Sequence, residues 1–104
     1  MSYATGSTIY EQVVSLDQNN VAVSGATFDT VLYRDGAVSA TSVTVALLDA
    51  TRGVFRASFV PTLYGSYQLY MRNLSTDVVF IGGPYDVASG STGGGQTIEV
   101  YVGL

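Results

Sequence analysis

The chain contains no cysteine, no histidine, no lysine and no tryptophan. Without cysteine there is no disulfide, no thiolate metal site and no thiol nucleophile. Without histidine the commonest general base and the commonest zinc ligand are gone. A serine triad needs that base, and a Schiff base needs a lysine, so both are excluded. Cationic charge is scarce as well. The basic residues are four arginines, Arg34, Arg52, Arg56 and Arg72, against eight carboxylates, for a net charge of -4. A nucleic-acid surface needs a basic stripe and attachment to anionic lipid needs a basic cluster, so neither partner is expected. No apolar run approaches the roughly 18 residues of a membrane span. The first eight residues have neither a basic nor an apolar region, so they do not read as a secretory signal. The initiating Met1 suggests a stand-alone gene product.

What is present is a β-forming, charge-poor composition. Charged residues are 12% of the chain, against roughly 25% in an ordinary soluble domain. The 104 residues suffice for one domain with one core, in which folding hides roughly 65% of the unfolded surface. With so few charges, Ser, Thr, Gly and Asn must solvate the exterior, or something else must cover part of it. Residues 53–60 alternate Phe55, Ala57 and Phe59 with Arg56 and Ser58, the period-2 pattern of a half-buried strand. Pro61 ends that strand because it cannot donate to a ladder. Gly65 supplies a turn, and Tyr67, Leu69 and Met71 share one face of the next strand, residues 66–73.

Elsewhere the same reasoning predicts a flexible N-terminal arm over residues 1–7 and a first strand over 8–15, with Tyr10, Gln12, Val14 and Leu16 on one face. Asp17-Gln18-Asn19-Asn20 has turn chemistry. A strand follows over 26–34, with Phe28, Thr30 and Leu32 on one face; Asp35-Gly36 is a tight turn. Residues 38–48 read as one uncharged strand, and 49–53 as a loop. Residues 74–77 turn, 78–81 form a strand, Gly82-Gly83-Pro84 breaks it, and 85–87 resume it. The domain spans residues 8–88. Residues 89–96 are a Gly/Ser-rich loop or hinge, and 97–104 a C-terminal strand in which Ile98, Val100 and Val102 alternate with Glu99 and Tyr101. Seven to eight short strands without a helical period point to an all-β antiparallel sandwich, with a small barrel as the alternative.

Gly53, Phe55, Ala57, Phe59, Pro61, Gly65 and Tyr67, with the later Ile81-Gly82-Gly83-Pro84-Tyr85, resemble the C-terminal half of a filamin-type immunoglobulin-like repeat over residues 53–87. The resemblance implies an immunoglobulin-like β-sandwich with Pro61, Gly65 and Tyr67 as a structural corner, in which the tyrosine hydroxyl bonds back across the turn. It also implies a mode of binding: a partner segment added beside an exposed sheet edge, near residues 41–48 and 53–60.

Candidate sites are few. Six of the eight carboxylates are Asp, and Asp17, Asp35, Asp49 and Asp77 sit in predicted turns, where Asp is at home. Asp17 to Asn20 could offer oxygens to calcium, but the spaced acidic series of a strong site is missing. No cofactor and no metal are expected. Natural edge strands are commonly blunted by charge, and residues 38–48 carry none. The candidate partner contacts are therefore Thr41, Ser42, Thr44 and Ala46, together with Ile98, Val100, Tyr101 and Val102 beyond the hinge, and Tyr3 in the arm. These features suggest a non-enzymatic structural protein. The concrete expectation is a small virion accessory, a decoration or cement protein that docks on the subunits of a bacteriophage capsid, with a homo-oligomer as a further option. The alternative is a carbohydrate- or receptor-binding module of a tail fibre or cell surface, using exposed Tyr, with Tyr3, Tyr64 and Tyr101 as candidates, and loop Asp and Asn.

Overall fold

A computed structural model describes residues 2–89. They form eight strands and no helix: β1 (Ser2–Ala4), β2 (Ile9–Val14), β3 (Phe28–Arg34), β4 (Ala37–Val38), β5 (Thr44–Asp49), β6 (Val54–Phe59), β7 (Gly65–Asn73) and β8 (Val79–Ala88). Five strands make one sheet in the order β1-β8-β7-β3-β4, and three make the other in the order β2-β6-β5. Neighbours are antiparallel except β1, which runs parallel to β8. Both sheets feed one core. Ile9, Val13, Phe55, Ala57 and Phe59 come from the smaller sheet, and Leu32, Tyr67, Leu69, Met71, Tyr85 and Val87 from the larger. Rings meet between the layers: Phe28 with Phe55 at 5.0 Å and Phe59 with Tyr85 at 5.6 Å between centroids. The arrangement is an all-β, sandwich-like globule.

β6 and β7 follow the expected alternation, with Phe55, Ala57, Phe59, Tyr67, Leu69 and Met71 all buried. The Asp35-Gly36 turn is the expected hairpin; both residues have positive φ, at 52° and 85°, as a type I′ turn requires. It joins β3 to β4, with Arg34 opposite Ala37.

Three local expectations are corrected, and the orientation of β2, which the sequence left open, is fixed. Residues 2–4 are not a loose arm but the strand β1, with Tyr3 edge-on to Tyr85 at 6.1 Å. In β2 the face bearing Tyr10, Val14 and Leu16 points outward, while Ile9, Val13 and Ser15 are buried. Both faces carry apolar residues, so alternation alone cannot choose between them. Register chooses: Ile9 lies opposite Phe59 and Val13 opposite Phe55, and directly opposed residues share a face. Residues 38–48 are not one strand. β4 stops at Val38, Ser39 N–H donates to Leu32 O at 2.7 Å, and the chain crosses to the other sheet before β5 begins at Thr44. Finally, Gly82-Gly83-Pro84 does not break β8. The stretch is absorbed as a bulge, with the register against β7 shifting between Tyr67 and Leu69. The Gly83–Pro84 bond is cis.

One polar pair is buried with the core. Asn73 Nδ2 donates to Ser15 Oγ at 2.8 Å, joining strands 58 residues apart in sequence. The Asn73 Oδ1 accepts the backbone N–H of Ser75 and of Thr76, so both polar atoms of this side chain have partners in a residue only 4% exposed.

Candidate functional site

β5 pairs with β6 on one side, and no described strand lies on its other side. Its residues Thr44 to Leu48 carry no charge, and Leu47 and Leu48 are both exposed. Where the chain crosses between sheets and enters β5 there is an open groove of about 470 Å³. Thr41, Ser42, Thr44, Ser58 and Thr62 bring hydroxyls to it, and Phe59 and Val60 bring apolar surface. No ionisable side chain lines it. Such a surface offers hydrogen bonds in both directions, apolar contact and unpaired strand backbone. Those are the means by which an extended segment is added to a sheet. It offers no nucleophile paired with a base.

The sequence-predicted contacts are only partly gathered here. Thr41, Ser42 and Thr44 line the groove. Ala46 is exposed on β5, opposite Arg56, outside the groove lining. Tyr3 is elsewhere, in β1 at a margin of the larger sheet, half-buried against Tyr85. Ile98, Val100, Tyr101 and Val102 lie outside the described residues. The expected binding mode also needs correction: residues 54–59 are the middle strand of their sheet, paired on both sides, so of the two expected segments β5 alone has an open side among the described strands.

The corner residues sit together at the start of β7. Pro61 is buried, and the Tyr67 hydroxyl donates to Leu63 O at 2.7 Å. Gly65 has φ 146°, and a Cβ there would meet Asp35 Oδ2 at 2.8 Å and Arg34 Nε at 3.1 Å. The turn between β3 and β4 is thereby locked to the corner: Arg34 Nε donates to Tyr64 O at 2.8 Å, and Ser66 N–H donates to Asp35 Oδ1 at 2.9 Å. The Arg34 guanidinium lies 5.7 Å from the centroid of the Tyr64 ring, which is 65% exposed. This cluster of Arg34, Asp35 and Tyr64 was not anticipated. Arg34 and Tyr64 are 30 residues apart, and no local pattern signals their meeting.

A second polar contact ties the sheets on the β2 side. Glu11 lies opposite Ala57 and faces the interior, where the Tyr85 hydroxyl donates to its Oε1 at 2.7 Å. Burial, and then the hydrogen bond to Glu11, raise the Tyr85 hydroxyl well above the ordinary tyrosine range. At the surface, hydrogen bonds from Arg52 hold the Asp49 carboxyl below its usual value. In the loop considered for calcium, Asp17 Oδ1 accepts the N–H groups of Asn19 and Val21, which is turn duty. Among the described residues there is no cluster of three or more acidic, His or Cys side chains placed to hold a metal, and no helix long and apolar enough to cross a membrane.

No protein-family model matches the chain, and no curated protein matches it.

Proposed function

We propose that this chain is a non-enzymatic, immunoglobulin-like docking module that adds to a larger protein assembly through the free edge of β5. The observation that carries the reading is that edge: uncharged, without a partner among the described strands, and continuous with a groove lined by hydroxyl and apolar groups. Two features support the immunoglobulin-like identity. The β2-β6-β5 sheet occupies the places of strands B, E and D, and β8-β7-β3 those of G, F and C, with β4 as C′. The Tyr67 bond to Leu63 has the form of the tyrosine corner, two residues before Leu69, where such domains commonly place a core cysteine.

The assembly we propose is a virus shell, with the module as a decoration or cement protein. The charge-poor composition and the absence of His, Cys and Lys favour a structural role over an enzymatic one. The test is co-sedimentation with capsids assembled from the shell protein encoded nearest its gene. The chain should pellet with shells. Ala46→Lys, which places a charge on the edge, should leave it in the supernatant. A chain that stays soluble beside every shell tried would sink the proposal.

A second reading, glycan binding, has one observation in its favour. The exposed Tyr64 ring lies beside Arg34 and Asp35, a flat apolar surface flanked by charged hydrogen-bonding groups. A glycan array discriminates: specific binding lost in Tyr64→Ala would favour this reading over the first.

A further inference from the structure

β8 is ten residues long, yet β1 covers only its last three, with Ser2, Tyr3 and Ala4 beside Asp86, Val87 and Ala88. No described strand lies beside residues 79–85 on that side. This free length, Val-Phe-Ile-Gly-Gly-Pro-Tyr, contains no charge, and Val79 and Ile81 are exposed at 47% and 65%. Apolar edges of this kind are usually blunted. Here only the lower part is, by Pro84 and the bulge. The chain passes Ser89 at the foot of the same edge, and 15 residues follow, 90–104.

We infer that the upper edge of β8 is the seat of this chain's own residues 97–102, added antiparallel within the same molecule. Three observations point to it. Residues 97–102, Thr-Ile-Glu-Val-Tyr-Val, are rich in strand-forming residues and match the six of residues 79–84 in length. The direction fits, because a chain leaving the foot of β8 must return upward. The connection fits too. β1 blocks a tight hairpin at the foot, so the chain must bypass about 13 Å of strand from Ala88 to Pro84. Residues 90–96 span at most about 25 Å, and their Gly and Ser content suits a bypass. The inference goes beyond the docking role and does not depend on it. It also reassigns Ile98, Val100, Tyr101 and Val102 from partner contacts to sheet closure.

The test is backbone hydrogen exchange on the full chain, with and without Ile98→Asp and Val100→Asp, at a concentration where sedimentation gives a monomer. The expected result is exchange at residues 79–83 at least tenfold faster in the double variant, with β6 unchanged. Equal rates in the two proteins would overturn the proposal. Protection found only where the chain dimerises would overturn it as well, and give the edge to a second copy. An independent readout uses the absence of native cysteine: Ile81→Cys combined with Glu99→Cys, Val100→Cys or Tyr101→Cys. One of the three should form a disulfide within a monomer under oxidation. Crosslinking only into dimers, or no crosslinking in any of them, counts against the proposal.

Discussion

β7 and β5 are both strands of one small domain, but they are built to different specifications. β7 is paired on both sides and buries every second side chain: Tyr67, Leu69, Met71 and Asn73 are all at most 4% exposed. Among the described strands β5 is paired on one side only, and Thr44, Ala46, Leu47 and Leu48 are all exposed. In the first strand a side chain's position is dictated by neighbours on three sides. In the second the backbone is half committed, and the side chains are free to suit a partner. The stability of the domain therefore resides in its middle strands, and the docking we propose is assigned to its margins.

Substitutions should separate the two regimes. The largest effect is expected at the centre. Leu69→Ala removes a fully buried side chain and should cost about 3 kcal/mol or more, measured by urea denaturation. Gly53→Ala, just before β6, should cost about 2 kcal/mol. Its φ is 67°, and a Cβ there would run into Ser15 O and crowd Ala22 Cβ at 3.2 Å. Tyr67→Phe keeps the ring in the core and loses only the bond to Leu63; a fall of about 1 kcal/mol is expected, and an unchanged melting temperature would remove the corner from the account. At the margin, Ala46→Lys should leave stability within about 0.5 kcal/mol. If it destabilises as much as Gly53→Ala, the distinction between middle and margin fails.

The Glu11–Tyr85 contact gives the comparison a pH dependence. The folded-state pKa of Tyr85 lies above its unfolded value of about 10. Its contribution is therefore complete below pH 10 and is lost as the pH rises beyond that toward the folded value. The urea midpoint should fall more steeply above pH 10 in the wild type than in Tyr85→Phe.

The same division governs what could be read from the sequence. β6 and β7 were legible because burial on one face leaves strict alternation behind, and Pro61 and the glycines mark where it stops. The lack of charge over residues 38–48 was legible too, but it did not show that of these only 44–48 belong to the edge strand β5. The marginal elements were not. β2 carries apolar side chains on both faces, so its orientation depends on pairing with β6, 40 or more residues away. Residues 38–48 look continuous because Ser, Thr and Val suit a strand and a crossing equally well. The groove exists only because the chain changes sheets there. Tyr3 is read as an arm residue until the end of β8 is brought beside it. The Arg34, Asp35 and Tyr64 cluster is likewise a product of the fold.

The buried amide of Asn73 carries a practical consequence. Asn73-Leu74-Ser75 has the pattern of an N-glycosylation acceptor, yet its nitrogen is the atom given to Ser15. Once folded, the domain withholds that nitrogen from any transferase. Made through a eukaryotic secretory route, the chain would meet the enzyme before closing. A sugar attached there would hold β7 away from the end of β2. The protein should therefore escape this modification when made in a bacterial cytoplasm, and should accumulate as a misfolded glycoform in secreted eukaryotic culture unless Ser75 is replaced.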